Sequence, residues 1–294
     1  MTKTVLGIIG GSGFYALPGL EHAHRERIAT PWGDTSDDML IADLNGLPIR
    51  FMPRHGRGHN IPPSEINYRA NVDAMKRVGV TDLISISAVG SLKKKYAPGE
   101  FVLPDQFIDR TFARHKSFFG TGCVAHVGMA DPVSPLLVKA IDKAAEAEEI
   151  TCHRGGTYLV MEGPQFSTRA ESNLYRSWDC DVIGMTNMPE AKLAREAEIC
   201  YATIAMVTDY DCWHEDHDQV DVASIIQVMK GNTERAQRLV QRLTRDLPRE
   251  HPACPIGSDR ALDVAIITPP EGRDPAMVAK LDAVAGRILG TAKG

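Results

Sequence analysis

The chain is 294 residues long, 43% hydrophobic and 24% charged, with a formal net charge of −5. This is the balance of a globular protein able to bury a sizeable core, and it gives no reason to expect a nucleic-acid surface. An anionic substrate would need a locally basic pocket, because attraction by the whole molecule is absent.

Val5–Ile9 opens the chain as an apolar strand and runs into Gly10-Gly11-Ser12-Gly13. The dinucleotide fingerprint lacks its third glycine here, and Pro18-Gly19 argues against a helix starting at that point. The P-loop fails too, since no lysine follows Gly13. What remains is a plain tight turn, or a turn whose amide N–H groups and Ser12 hydroxyl face an anion. Strands are expected at Met39–Leu44 and Pro48–Met52, and Arg54 and His55 stand just past the second. A guanidinium fork beside an N–H-donating imidazole suits a phosphate; a solvated basic loop is the plainer alternative. A helix over Ile66–Val78 precedes a strand over Asp82–Ser87, which gives way to Ala88-Val89-Gly90-Ser91. Small residues at a strand end let backbone amides approach a ligand, or let a helix pack closely. Ligands of open α/β sheets bind beyond the carboxyl ends of strands. Three such ends, at Ser12, at Arg54-His55 and at Ser87-Ala88, carry anion donors.

Further along, Glu100–Leu103 is a strand, and Ser134-Pro135 caps a helix reaching Ala147. The strand Thr157–Met161 leads into Glu162–Ser167. Phe166 there can stack on a flat ring, with Ser167 as a hydrogen-bonding neighbour, or simply pack in the core. Thr168 and Glu171 form a capping box for a helix to about Trp178. Asp181–Met185 is a strand whose end, Met185-Thr186, lines a pocket or serves as core and cap. A helix is expected over Pro189–Ile199. Tyr201–Val207 ends in Thr208-Asp209-Tyr210-Asp211. Two carboxylates at i and i+2 past a buried strand raise one another's pKa. One kept protonated can serve as a general acid; a turn former is the bland reading of either. The segment His214–Asp218 has no partner pair at zinc spacing, so no metal is expected. Val222–Leu247 reads as one amphipathic helix, Pro252–Pro270 as linker-like, and Asp274-Pro275 as the cap of a last helix to about Leu289. This alternation predicts an α/β fold around a parallel or mixed sheet. Six cysteines without a C-x-x-C pair, and no signal-peptide pattern, lead us to expect free thiols and a cytoplasmic protein.

In order, GIIGGSGF, RHGRGHNIPPSEINYRAN, SAVGSL, PGEFVLPDQFIDRT, EGPQFSTRAES and MTNMPEAKLAREAEICYATIAMVTDYDCW resemble the trimeric purine nucleoside phosphorylase and methylthioadenosine phosphorylase family. The likeness spans Gly7 to Leu247. It implies a single α/β domain with a central mixed sheet flanked by helices, and a homotrimer. The boundaries expected are a nucleoside phosphorylase domain over 1–250, with a linker and helix over 251–294 packed on it. The reaction implied is phosphorolysis of methylthioadenosine, with phosphate as co-substrate, no cofactor, and no nucleic-acid or membrane partner. By position, Ser12, Arg54, His55, Ser87, Ala88 and Thr186 would bind phosphate. Phe166 would pack on the base with Ser167 beside it, and Met185 would lie under the ribose. Asp209 and Asp211 would hold the purine, Asp209 as the proton donor to N7. Val222 and Ile225 would wall the methylthio pocket, and His126 would enter from a neighbouring subunit. Three departures stand out. Ser87-Ala88 replaces a frequent Thr-Ala, Gly184-Met185-Thr186-Asn187 replaces a frequent Asn-Met-Thr-Thr, and the segment after Pro252 fits poorly. A methylthioinosine or general 6-oxopurine phosphorylase, a hydrolytic nucleosidase and a non-catalytic nucleoside sensor are the alternatives.

Overall fold

The computed structural model describes residues 2–11, 17–214 and 222–291, without the side chains of 222–224. Among them, eleven strands form one mixed sheet. They are β1 (Leu6–Gly10), β2 (Leu20–Glu26), β3 (Met39–Leu44), β4 (Leu47–Pro53), β5 (Asp82–Ser91), β6 (Phe101–Leu103), β7 (Gln106–Asp109), β8 (Cys152–Arg154), β9 (Thr157–Val160), β10 (Val182–Gly184) and β11 (Cys200–Asp209). The helices are α1 (Tyr68–Arg77), α2 (Pro135–Ala147), α3 (Arg169–Ser177), α4 (Asn187–Glu196), α5 (Val222–Asp246), α6 (Pro275–Lys280) and α7 (Gly286–Leu289).

The centre of the sheet is parallel, in the order β4, β1, β5, β11. Its strands are near-continuous apolar runs because helices cover both faces. Val72, Met75 and Leu193, from α1 and α4, pack on one side. Ile141, Val240 and Leu243, from α2 and α5, pack on the other. The expected caps form: Ser134 Oγ accepts from Leu137 N, and Thr168 and Glu171 close a capping box. The strands β2, β7 and β8 escaped the sequence reading. β2 is a mostly exposed edge with a polar sequence, and β7 and β8 are too short to show a period. All six cysteines are unbridged. No helix among the described residues is long and apolar enough to cross a membrane.

One irregularity matters for function. β11 pairs with β5 from Asp82 to Gly90. On the opposite side, β1 pairs only as far as Ser85, and β10 joins, antiparallel, at Gly90 and Ser91. Ile86 to Val89 therefore have no strand neighbour on that side, and the sheet splits there. Ala88, inside an otherwise buried strand, is exposed at the split.

The C-terminal part also differs from expectation. The predicted single helix to Leu289 breaks into α6 and α7. Leu281, Val284 and Ala285 at the break turn into the same core as α1 and α4. Asp282 pairs there with Arg77, and Arg287 pairs with Glu198. Residues 265–274 run beside 122–126, with a bridge between Ala125 and Ile266. Leu281→Ala should thus cost about 2–5 kcal/mol. Urea unfolding followed by both circular dichroism and tryptophan emission should show one cooperative transition at lower midpoint. A separate, early transition of the tail would contradict this packing.

Candidate active site

The split in the sheet leaves backbone carbonyls without ladder partners, and buried carbonyls must be satisfied. Arg54 does this. Its Nη1 donates to Ile86 O at 3.1 Å, and its Nη2 to Ile9 O at 3.0 Å and Ser85 Oγ at 2.7 Å. Its Nε donates to Glu190 Oε2 at 3.0 Å, and the paired side chains are only 3% and 1% exposed. Tyr201 OH donates to the other Glu190 oxygen at 3.0 Å. Burial works against the guanidinium charge, but Glu190 outweighs it and the group ends above its ordinary pKa. The sequence presented Arg54 as a phosphate fork. The structure turns the guanidinium inward, where it ties together the residues before two of the three strand ends.

His55 follows at the rim, half-buried and stacked on His59 at 4.2 Å. Its Nδ1 lies 2.8 Å from Ile61 O. A carbonyl only accepts, so Nδ1 carries a proton and donates. Burial pushes the imidazole down to about 4, against the pull of that carbonyl. At neutral pH the ring is therefore uncharged, with Nε2 an acceptor.

The two aspartates stand at the end of β11, where a register shift between Val207 and Asp209 bulges the strand. The bulge re-aims the side chains beyond it. Asp209 Oδ2 accepts from Thr208 Oγ1 at 2.7 Å, and its Oδ1 from Asp211 N at 2.8 Å. Asp211 is buried, in left-handed backbone (φ 52°), and its Oδ2 has no hydrogen-bond partner among the described residues. Burial raises Asp209, opposed by the Thr208 hydroxyl and the Asp211 amide. Burial also pushes Asp211 up to about 6, opposed by the Ser172 hydroxyl and helped by the charge of Asp209. Desolvation thus outweighs the like-charge repulsion that the sequence suggested. Gly90 makes room for the pair, since a Cβ there would lie 2.9 Å from Asp209 Oδ1. Trp213 Nε1 donates to Ser91 O at 2.7 Å and pins the loop, with the Arg176 guanidinium 3.8 Å from its ring centre.

Other predicted residues gather on the same side. Phe166 is 45% exposed, not packed in the core. Cys212 Sγ lies 3.4 Å from Ser167 O, which brings that loop to the aspartates. Met185 is half-buried and Thr186 buried. Ser87 Oγ lies 3.4 Å from Tyr158 OH and 3.3 Å from Asn187 Oδ1. Asn232 of α5 donates to Val207 O at 3.0 Å. Ile225, two turns earlier on the same helical face, is half-buried. Ser12 and the Val222 side chain lie outside the described residues. His126 is exposed, and its backbone N donates to Ala265 O at 2.9 Å; no hydrogen bond or ring contact among the described residues joins its ring to this cleft.

A family model described as "Phosphorylase superfamily" matches residues 5–245. The chain belongs to the phosphorylase superfamily. The S-methyl-5′-thioadenosine phosphorylase of Bradyrhizobium diazoefficiens is 65% identical over 98% of this chain and 99% of its own length. That of Cereibacter sphaeroides is 60% identical over 98% and 99%. Among solved structures, a methylthioadenosine phosphorylase from an antarctic soil metagenomic library superposes with TM-score 0.91 at 44% identity, over 97% of this chain and 99% of that one. The Schistosoma mansoni methylthioadenosine phosphorylase in complex with adenine gives 0.78 at 34%, over 82% and 91%.

Two residues of this phosphorylase-superfamily site were not singled out from sequence. Arg114 is buried and donates to Met185 O at 2.6 Å, Met188 O at 2.7 Å, Glu162 O at 2.6 Å and Tyr68 OH at 3.1 Å. It thereby locks the Glu162–Ser167 loop to the Met185 turn. Glu190 is the second; its partner Arg54 lies 136 positions away, a distance no local pattern reports. Breaking a buried pair leaves one charge uncompensated, at a cost of about 3–5 kcal/mol. Arg54→Met should show that loss in urea unfolding, and restoring neutrality with Glu190→Met as well should recover part of it. Unchanged stability in Arg54→Met would refute the inward role.

Proposed function

We propose that the enzyme cleaves S-methyl-5′-thioadenosine with inorganic phosphate, giving adenine and S-methyl-5-thio-α-D-ribose 1-phosphate, a step of purine and methionine salvage. The observation that carries this reading is the carboxylate pair: Asp211 Oδ2 is a buried acceptor with no hydrogen-bond partner within ordinary distance among the described residues, beside an Asp209 already held by two donors. A 6-aminopurine brings the missing donor. A 6-oxopurine brings a second acceptor, and a site with an unpaired buried group can reject it by about 10⁴.

Cleavage of an N-glycosidic bond develops positive charge on the sugar, as in glycoside hydrolysis. Phosphate serves as nucleophile and counter-charge, so the protein's work is alignment and leaving-group activation. Ser12, His55, Ser87, the Ala88 amide and Thr186 hold the phosphate, on a floor that Arg54 keeps in register. The neutral His55 offers Nε2 as an acceptor for a protonated phosphate oxygen. Phe166 and Ser167 flank the base, Met185 the ribose, and Val222 and Ile225 the methylthio group. Asp209, its pKa raised by burial, gives the proton to N7. Bond cleavage opposite the phosphate inverts the anomeric carbon. No metal or organic cofactor enters the reaction. The enzyme works in the cytoplasm as a homotrimer, with His126 reaching the neighbour's site. The exposed Phe112 (81%), Leu174 and Trp178 support a buried interface between copies.

The deciding assay follows free base from methylthioadenosine, methylthioinosine, adenosine and inosine, with and without phosphate. Methylthioadenosine should be preferred, and base release should vanish without phosphate; release at full rate in its absence would sink the phosphorolytic reading. Protonation turns Asp211 from acceptor into donor. The preference for the 6-amino over the 6-oxo substrate should therefore fall as pH drops through about 6. A ratio constant from pH 5 to 8 would contradict the role of Asp211. Asp209→Asn should lower the single-turnover rate about 10²–10⁴-fold for every substrate.

A further inference from the structure

We propose that Ser172 of α3 is a positioning residue of the base subsite, its buried hydroxyl holding Asp211 in the acceptor form that a 6-amino group needs. This rests on the reading of Asp211 as the partner of the 6-substituent given above.

Ser172 is fully buried, on the inner face of α3 with Tyr175 one turn further on. A serine inside a helix can return its hydroxyl to the carbonyl one turn back. Here Thr168 O takes the Ser172 amide at 3.0 Å, and Ser172 Oγ makes no ordinary hydrogen bond among the described residues. A buried hydroxyl left in this state costs stability, so what it faces matters. It faces the Asp211 carboxyl and the Cys212 thiol. The thiol is a weak acceptor, and its own proton is directed to Ser167 O at 3.4 Å. The carboxyl is the strong acceptor, and its Oδ2 also lacks an ordinary hydrogen bond among the described residues. A donor from α3 and an acceptor from the loop after β11, both out of contact with water, thus face each other.

Most of what surrounds Asp211 works against its charge. Burial acts in that sense, and so do the like charges of Asp209, on the same strand end, and of Glu171, next to Ser172 on α3. Tyr175 approaches from α3 with a phenol that burial keeps protonated. Gly90 of β5 lies against the Asp211 side chain and brings no charge. Arg169, at the start of α3, acts on the neighbouring Cys212 thiol. In favour of the carboxylate stand the Ser172 hydroxyl and, more weakly, the Cys212 amide. An oriented hydroxyl counts for more in a dry site than in water. Loss of Ser172 therefore moves Asp211 toward its protonated, donating form, which suits a 6-oxo group. Ser172 acts on the base only through Asp211.

The test follows the ratio of kcat/KM for methylthioadenosine to that for methylthioinosine from pH 5 to 8. Asp209 serves both substrates, so its titration cancels in the ratio. In wild type the ratio should fall as pH drops through about 6. In Ser172→Ala the carboxylate loses a donor, Asp211 takes its proton at higher pH, and the midpoint should rise by about 0.5–1 pH unit. At pH 6 the ratio should then lie about three- to ten-fold below wild type, and at pH 8, with Asp211 ionised in both proteins, within about two-fold of it. Ser172→Cys keeps a weaker donor and should shift the midpoint less, in the same direction; it carries the test if the alanine variant does not fold. In an Asp211→Asn background, Ser172→Ala should change the ratio less than about two-fold, because no carboxyl remains to be held. An unmoved midpoint in the variants that fold, a ratio lowered equally at every pH, or a full effect in the Asp211→Asn background would each overturn the proposal. If the wild-type ratio itself does not vary with pH, the reading of Asp211 fails first, and this inference with it.

Discussion

The fold depends on a buried ion pair at the point where its sheet comes apart. Arg54 and Glu190 meet at 3.0 Å with almost no exposure, a placement whose desolvation cost is recovered only by good geometry and further hydrogen bonds. Both are present. The guanidinium satisfies the Ile9 and Ile86 carbonyls and the Ser85 hydroxyl, and Glu190 also accepts from Tyr201. The pair substitutes for a missing stretch of strand. It lets β5 hold β1 on its early half and β10 at its end, with an exposed gap at Ala88 between them.

The chemistry is arranged around that gap by groups at successive depths. Beneath the floor lie Arg54 and Glu190, then Ser85, Asn187 and Thr203, which exchange hydrogen bonds among themselves, and Tyr158, whose hydroxyl lies 3.4 Å from Ser87 Oγ. At the floor are Ser87 and Ala88. At the rim stand His55, kept neutral by burial, and the aspartates, raised by it. One cause, removal from water, therefore sets all three titrating groups. It keeps the imidazole neutral, raises Asp209 and brings Asp211 up to about 6. Arg114 does for the walls what Arg54 does for the floor, by binding the carbonyls of the two loops that leave the paired strands β9 and β10.

Much of this was legible in the chain. The apolar runs of β1, β3, β4, β5 and β11, and the caps at Ser134 and Thr168, announce themselves by local pattern and are found where expected. So are the loops holding Asp209, Asp211 and Phe166, because turn and strand ends are encoded by neighbours in sequence. The break of the final helix was not legible, since it arises from Leu281 and Val284 entering a core built by distant residues. Nor was the direction of the Arg54 side chain: a basic residue beside glycine looks the same whether it faces solvent, phosphate or a buried carboxylate.

By itself, then, the sequence determined which elements form and which polar residues stand at their ends, because capping, period and turn chemistry act over a few residues. Only the tertiary structure decided which way those residues point, which are charged, and which are held from below. Tyr158 enters beside Gly184, Glu190 meets Arg54 and Arg114 joins Met185 to Glu162 across long separations in the chain. Burial, hydrogen-bond satisfaction and pKa are properties of those meetings, and they exist only once the chain has folded.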